Sequence, residues 1–168
     1  MNRYTLAVLV RNQFGVLNRL TSMFRRRQFN ISSITASETE STTYSRITFS
    51  FDGDEENKVQ LINQLYKLPD VCSIKELTVE NSINCELMMI KMKNDPAVRE
   101  DIRAAAEAFK AETIDYTRES FVLRLFGDSR KMDDFVTLMR DYTILEICRT
   151  GTASLERGSS TLHHSMKL

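Results

Sequence analysis

The chain has 168 residues, of which 42% are hydrophobic, and its 23 basic and 23 acidic residues give a formal net charge of zero. That length allows one mid-sized domain or two small ones, and the hydrophobic content excludes a wholly disordered chain. Because neither half has the basic excess that binding to a phosphate backbone usually requires, the composition argues against a nucleic-acid partner. No apolar stretch approaches the ~20 residues of a membrane span, and the first residues do not form a charged and then apolar leader. We therefore expect a cytoplasmic protein with no membrane contact.

The hydrophobic spacing of the first 80 residues predicts a βαββαβ order. Apolar residues at the spacing i, i+1, i+4, i+7 and i+8 form the stripe of a first amphipathic helix, and they are Val16, Leu17, Leu20, Met23 and Phe24. A second helix opens at Gly53-Asp54 and ends before Pro69. Alternating or continuous apolar runs predict four strands, at 30–36, 43–51 and 71–79 in addition to 4–10.

The second half of the chain repeats this order. Strands are predicted at 85–93, 112–117, 120–126 and 144–150. Asp95 and Pro96 have the residue types preferred at the N-cap and first position of a helix, and Ser129 is a candidate cap for the next helix.

Two tandem βαββαβ units define an α+β fold of the ferredoxin-like type, in which each antiparallel sheet has two helices on one face. We expect domains at 1–80 and 81–151. Residues 152–168 read as a polar, flexible tail, in which the His163-His164 pair is solvated. The second face of each sheet must be covered or must bind a partner.

The three cysteines, Cys72, Cys85 and Cys148, are odd in number and have no CxxC spacing. Each lies in an apolar, strand-like stretch. We expect buried, reduced thiols rather than a disulfide or a metal site.

The sequence contains no recognisable catalytic motif. It has no HExxH, GxSxG, P-loop or GxGxxG pattern, and its two histidines lie in the tail. RNA-recognition modules share the βαββαβ order, but the third strand of each unit lacks the glycines of their signature. A binding role is therefore favoured over an enzymatic one, and metal ligation is not expected.

Residues 11–17, RNQFGVL, join the first strand to the first helix, and the residues alone leave two interpretations open. The first amides of a helix have no intrahelical partner and attract a carboxylate. Gly15 would let a ligand approach, Asn12 offers a donor and an acceptor, and Val16 and Leu17 would form an apolar wall. Such a loop suits an aliphatic amino acid. Alternatively, Asn12 and Gly15 are only the cap and turn residues of a short link.

Several linked segments resemble the small regulatory subunit of acetolactate (acetohydroxyacid) synthase. They are, in order, RNQFGVLNRL, FRRRQFNISSIT, YSRITFSFDGDEE and INQLYKLPDV, and the similarity continues through CELMMIKM, FKAETIDYT and EICRTGTASLERG. The resemblance spans nearly the whole chain. It implies an N-terminal ACT domain, a ligand-binding form of the βαββαβ unit, followed by a C-terminal ferredoxin-like domain.

The resemblance also implies a function. Small subunits of this family are non-catalytic and activate a large subunit that uses thiamine diphosphate, FAD and magnesium to condense pyruvate in branched-chain amino-acid biosynthesis. Valine or another branched-chain amino acid opposes the activation, and ACT domains pair edge to edge in a homodimer. No cofactor is expected on this chain. The alternative is a free-standing ACT-domain sensor that regulates another enzyme or transcription.

In the family, valine binds between the loop after the first strand of one subunit and the second strand of its partner. On this chain the resemblance assigns eight residues to that site, which are Asn12, Gly15, Val16 and Leu17 of the loop and Asn30, Ile31, Thr35 and Ala36 of the opposing strand. Two positions depart from the family pattern. Arg11 replaces its usual acidic residue, and Gln28 replaces a glycine, which would be strained if the backbone there is left-handed. Both flank the expected site.

Overall fold

The computed structural model describes residues 2–163, and His164 of the predicted solvated pair lies outside that range. The chain divides into two compact units. The first contains the residues up to Asn84 together with those from Gly151 onward, and the second contains Cys85–Thr150. The division therefore falls a few residues after the expected boundary at 80, and the residues that follow the second unit return to the first.

The first unit confirms the predicted βαββαβ order. Its sheet has the strand order β2-β3-β1-β4, with all neighbours antiparallel. The elements are β1 (Asn2–Arg11), α1 (Val16–Arg26), β2 (Ile31–Glu38), β3 (Tyr44–Gly53), α2 (Glu55–Leu65) and β4 (Val71–Glu76). Because side chains alternate along a strand, Leu6 and Val8 of β1 and Phe49 of β3 share the face that packs against Leu20 and Leu61 of the two helices.

The second unit has the same topology. Its elements are β5 (Ser82–Lys93), α3 (Arg99–Ala108), β6 (Glu112–Tyr116), β7 (Ser120–Gly127), α4 (Ser129–Met139) and β8 (Ile144–Arg149), in the sheet order β6-β7-β5-β8. Met88, Ile90 and Leu123 form a buried layer with Ile102 and Phe135 of the helices. Within residues 2–163, no helix is long and apolar enough to cross a membrane.

Two helix starts differ from the sequence prediction. Helix α3 begins at Arg99, because the Asp95 carboxylate instead accepts a hydrogen bond from the Ala97 amide (3.0 Å) in the turn before it. Helix α4 is capped by Asp128, which accepts from the Lys131 amide at 2.8 Å, so Ser129 is its first residue and not its cap.

The first helix of each unit ends in the same hydrogen-bonded turn. The Phe29 amide donates to the Phe24 carbonyl (3.0 Å), and the equivalent Ala111 amide donates to its helix at 2.8 Å. This Schellman motif requires a left-handed residue between helix and strand, and here that residue is Gln28 (φ 58°) or Lys110 (φ 55°) rather than glycine. The left-handed backbone anticipated at Gln28 is therefore present.

Residues 151–163 correct the prediction of a flexible polar tail, and we call them the C-terminal strap. They contain a further strand, β9 (Ala153–Glu156), which pairs with β5, whose first residues belong to the same unit. Leu162 packs against Ala7, Leu9 and Leu77 on the sheet face opposite the helices. Leu155 and Leu162 are the two leucines of the strap, and the residues between them are polar or glycine, so no periodicity predicts this contact.

The cysteines also differ from expectation, because Cys85 and Cys148 are exposed and Cys72 is half-buried. Along β5 the buried positions are even-numbered, as at Met88 and Ile90, so Cys85 points to the opposite face. Cys148 is paired with Met89 and lies on that same face. All three are free thiols.

Candidate functional site

A cleft of about 220 Å³ lies where β1 ends, between the start of α1 and the end of β2. We call it the loop cleft. It brings together four of the eight residues predicted for the site, which are Asn12, Val16, Leu17 and Ala36. Arg11 and Glu38 also line it. The cleft thus combines an apolar wall with groups of both charges.

Asn12 holds the cleft in shape by tying the β1 end to the connection before β3. Its backbone amide donates to the Thr43 carbonyl at 2.8 Å. Its side-chain amide donates to the Thr42 carbonyl at 3.1 Å and to the Glu38 carboxylate at 3.2 Å. Asn12 is therefore neither the cap of α1 nor a simple turn residue, and it positions Glu38 at the rim of the cleft.

Gly15 leaves the N-terminus of α1 open. It occupies the N-cap position in the left-handed conformation (φ 80°), where a glycine is favoured, and no side chain caps the helix. The first turn contains no acidic residue. The Val16 amide donates to the Gln13 carbonyl at 3.4 Å. The amides that follow it in the first turn have no carbonyl before them within the helix, and together with the positive end of the helix dipole they favour an anion. Val16 is buried beside them, whereas Leu17 is 47% exposed.

Arg19 is a further residue near this helix start, and sequence reasoning missed it. Its Nε donates to the Asp70 carboxylate at 2.7 Å, and that carboxylate is only 10% exposed. The Arg19 side chain also lies where a substituent on Gly15 would go, since a Cβ there would be 3.2 Å from Nη1. Because Arg19 and Asp70 are far apart in sequence, no local pattern predicts their pairing.

Thr35 lies on the other side of the sheet from the loop cleft. Ala36 is paired with Ile47 and shares the helix-facing side, whereas Thr35 is paired with Thr48 and points the opposite way. There it meets the C-terminal strap, because a Cβ on Gly151 would be 2.4 Å from Thr35 Oγ1. Thr35 therefore does not lie in the loop cleft of its own chain.

Asn30 and Ile31 lie at the far end of β2. Ile31 is paired with Phe51, and Asn30 precedes the strand and is exposed. Ala36 lies five positions after Ile31, so their Cα atoms are roughly 16 Å apart at the usual rise of a strand. These two predicted residues do not reach the loop cleft of their own chain.

Lys58 is a charged group outside the cleft whose contacts indicate a structural role. Its Nζ lies 2.7 Å from Glu55 and 2.8 Å from Glu76, and it stacks over the Tyr4 ring. The hydrogen bonds that Lys58 donates to Glu55 and Glu76 raise its pKa to about 12. These contacts join helix α2 to strands β1 and β4 within the first unit. Among residues 2–163, no three His, Cys, Asp or Glu side chains are grouped to hold a metal ion.

Comparison with known proteins identifies the family. Residues 6–73 match the model for the "AHAS small subunit-like ACT domain", and residues 85–158 match that for the "small subunit of acetolactate synthase". The chain is 40% identical over 157 residues to the probable acetolactate synthase small subunit of Archaeoglobus fulgidus. The aligned region covers 94% of this chain and 98% of that protein. This chain belongs to the acetolactate synthase small-subunit family.

Further relatives agree with the assignment. The acetolactate synthase small subunit of Bacillus subtilis is 39% identical over 163 residues, which is 96% of this chain and 95% of that protein. The crystal structure of the acetolactate synthase small subunit from Thermotoga maritima superposes with a TM-score of 0.84 at 31% identity, over 95% of this chain and all of that one. These matches confirm the family that the linked segments predicted. A small subunit of acetolactate synthase has a regulatory role and a catalytic large subunit as its partner.

Proposed function

We propose that this acetolactate synthase small subunit activates the catalytic large subunit and makes its activity sensitive to valine or another branched-chain amino acid. The observation that carries the proposal is the loop cleft, in which the uncapped start of α1 lies beside an aliphatic wall. Family membership favours the large subunit over a transcription factor or an unrelated enzyme as the target. This chain would contribute no catalytic group of its own.

The groups around the cleft complement each part of an aliphatic amino acid. The ligand carboxylate would bind the first amides of α1, where the helix dipole favours negative charge. Its side chain would pack against Val16, Leu17 and Ala36. Its ammonium group would approach Glu38, which Asn12 holds at the rim. Glu38 would thereby join the site residues predicted from the sequence.

A two-fold dimer through β2 would complete the site. Strand β2 lies at the edge of its sheet, and no strand within residues 2–163 pairs with its outer side. If two copies pair antiparallel about an axis between Ser33 and Ile34, residue 31 of one copy lies opposite residue 36 of the other. Asn30 and Ile31 of one subunit would then border the loop cleft of its partner. This arrangement explains why a single chain keeps them apart from the cleft.

Regulation would follow because valine binds with different affinity to two states of the complete enzyme, an activated state and an inhibited state. We expect thiamine diphosphate, FAD and magnesium on the large subunit, which condenses two pyruvates or pyruvate with 2-oxobutyrate. Valine must bind the inhibited arrangement more tightly, and such coupling is typically ~1–3 kcal/mol. By reciprocity, formation of the activated complex must weaken valine binding by the same factor.

Two residues at the margin of the site set this chain apart from the family pattern. Arg11 lines the loop cleft and is exposed, where the family usually has an acid. Gln28 precedes Asn30 and has the left-handed backbone that suits glycine. We propose that these two residues alter the response to valine without removing the site.

Calorimetry with matched variants at Gly15 tests the binding half of the proposal. Aspartate and asparagine both tolerate the left-handed backbone, but only aspartate places a negative charge where the ligand carboxylate would bind. We expect valine to bind the unmodified protein, to bind Gly15→Asn more weakly and to show no measurable binding to Gly15→Asp. Equal valine affinity in all three proteins would contradict a carboxylate site at this helix start.

A further inference from the structure

A cleft of about 630 Å³ lies on the helix-facing side of the second sheet, between α3 and the edge strand β6. We call it the α3 cleft. Arg99 and Ala106 line it from the helix, and Thr113 and Tyr116 line it from the strand. It corresponds in position to the loop cleft of the first unit, because each lies between the first helix of its unit and the edge strand.

Asn94 is the counterpart of Asn12 and lies beside the start of the α3 cleft. Its backbone amide donates to the Glu119 carbonyl at 2.9 Å, as the Asn12 amide does at the same place in the first sheet. Its side chain, only 6% exposed, donates to the Thr117 carbonyl at 2.6 Å and accepts from Arg99 Nε at 2.7 Å. Arg99 is thus held by a buried side chain, and no carboxylate within residues 2–163 forms an ion pair with it.

Small side chains make the α3 cleft larger than the loop cleft. The turn that follows the first helix joins Phe29 to Phe24 in the first unit and Ala111 to Ala106 in the second, so alanines occupy the positions of two phenylalanines. Both alanines line the α3 cleft. The loss of two rings explains why this cleft measures about 630 Å³ and the loop cleft about 220 Å³. The space suits a ligand with a ring of its own.

The polar groups of the two clefts also differ. Tyr116 is paired with Phe121 as Glu38 is paired with Ser45, so a phenol replaces the carboxylate that borders the loop cleft. Tyr116 is 57% exposed and stacks on Phe121 with the ring centroids 6.1 Å apart, which gives the cleft an aromatic wall. The planar guanidinium of Arg99 suits a carboxylate.

We propose that the α3 cleft binds a carboxylate that carries a planar aromatic ring. The carboxylate would accept hydrogen bonds from Arg99, whose side chain Asn94 already holds in place. The ring would lie against Tyr116 and fill the space beside Ala106 and Ala111. A cavity of this size that combines apolar walls with a few polar groups is typical of small-molecule sites.

The remaining charged residues of the cleft favour a single negative charge on the ligand. Glu100 and Glu107 line it together with Arg103, so its charged side chains sum to zero and a dianion such as a phosphate ester would gain less. Glu100 lies 3.8 Å from Arg103. Glu107 lies eight positions after Arg99, roughly 12 Å along the helix axis, and so belongs to the far end of the cleft. This inference does not depend on the loop cleft and goes beyond the function proposed for it.

Titration of the full-length protein with 3-phenylpropanoate at pH 7 tests the proposal. Methyl resonances of Ala111 and Thr113 report on the α3 cleft, and those of Val16 and Leu17 report on the loop cleft. We expect saturable shifts of the α3-cleft methyls. The uncharged 3-phenylpropanamide should bind about tenfold more weakly, since it loses a charge-assisted hydrogen bond. The ringless 4-methylpentanoate should also bind more weakly, and L-phenylalanine, which adds an ammonium group, should bind no more tightly.

Variants then assign the contacts. Arg99→Gln should weaken binding by about tenfold. Arg130→Gln removes the same charge from a side chain on α4 that is 91% exposed, and this matched control should leave binding unchanged. Ala111→Phe restores the residue type of the first unit and should abolish binding by filling the cleft. Circular dichroism confirms that each variant is folded, and the Arg99 comparison decides the matter if Ala111→Phe is not.

Three results would overturn the proposal. They are the absence of α3-cleft shifts at millimolar 3-phenylpropanoate, equal affinity in Arg99→Gln and Arg130→Gln, and tighter binding of L-phenylalanine than of 3-phenylpropanoate. Valine binding at the loop cleft is measured separately in the same protein. Loss of the α3-cleft response with valine binding intact would sink this inference alone, and the reverse would sink only the function proposed for the loop cleft.

Discussion

The contact between Leu162 and the first sheet gives a quantitative test of the C-terminal strap. Leu162 is 4% exposed and packs against Ala7, Leu9 and Leu77, and its carbonyl accepts a hydrogen bond from Ser73 at 2.7 Å. Replacing it by alanine removes the apolar contact and keeps the backbone bond. The strap should then bind the sheet less tightly, and the first unit should lose stability.

The size of the loss follows from burial. Fully burying a leucine side chain is worth about 1.5–3 kcal/mol, and the cavity left by Leu→Ala brings typical losses to about 2–5 kcal/mol. Because a strap can detach instead of leaving a rigid cavity, we expect about 2–3 kcal/mol for Leu162→Ala. Leu155→Ala is the matched control, because the same atoms are removed from the same strap at a side chain that is 65% exposed. Its loss should stay below about 1 kcal/mol.

Urea denaturation and limited proteolysis measure the two effects. At about 2–4 °C per kcal/mol for a chain of this size, Leu162→Ala should also lower the melting temperature by roughly 5–10 °C. Cleavage within residues 151–163 should be faster in Leu162→Ala than in Leu155→Ala. Equal stability and equal cleavage in the two variants would refute the reasoning, since it would mean that the strap does not pack on the sheet.

Three further predictions concern other parts of the fold. Gln28→Gly and Lys110→Gly should each raise the free energy of unfolding by about 1 kcal/mol. The left-handed conformation costs ~1–2 kcal/mol for a residue other than glycine, and the greater backbone entropy of glycine in the unfolded chain offsets part of the gain. Gln28→Ala keeps the strain and is the control, so a glycine variant that is no more stable than Gln28→Ala would contradict the backbone assignment. Because the pKa of Lys58 is raised from 10.5 to about 12, its contribution to stability is complete below pH 10.5 and is lost as the pH rises through 12. Denaturation curves should therefore show that stability falls over this pH window, and that it falls less in Lys58→Met. An equal loss in both proteins would mean that other groups cause it. Asn12→Ala should reduce stability by about 1–2 kcal/mol and weaken valine binding, since it removes two side-chain hydrogen bonds, one of which holds Glu38 in position. An unchanged affinity for valine by calorimetry would show that Asn12 does not contribute to the site.

The core of each unit could be predicted from the sequence because its signal is local and repeated. The apolar stripe from Val16 to Phe24 and the alternation of Ile47, Phe49 and Phe51 each occur within one element. The structure buries those side chains together, except for the exposed Leu17 of the stripe. Element type follows from such periods, and helix starts are less certain. Asp95 illustrates the limit, because a good cap residue can equally close a turn.

The strap could not be predicted for the opposite reason. Its stabilising contacts join residues far apart in sequence, such as Ser73 with Leu162, and its own apolar content is too sparse to form a pattern. The exposed Cys85 shows a related limit: an apolar run identifies a strand, but only the pairing register shows which side chains face the core.

The candidate site was predicted in part. The loop residues come from one short segment, and the structure places Asn12, Val16 and Leu17 together in the cleft, while their role in binding stays a prediction. The resemblance assigns both Thr35 and Ala36 to the site, although neighbouring residues of a strand face opposite ways and, of these two, only Ala36 reaches the cleft. Arg19 and Glu38 depend on tertiary contacts and were missed.

Reconstitution with the acetolactate synthase large subunit tests the central claim most directly. Acetolactate formation from pyruvate would be measured for the large subunit alone, with the native small subunit and with Gly15→Asp, each with and without valine. The account predicts activation by both small subunits and inhibition by valine only with the native one. Absence of activation, or equal valine inhibition with Gly15→Asp, would contradict it.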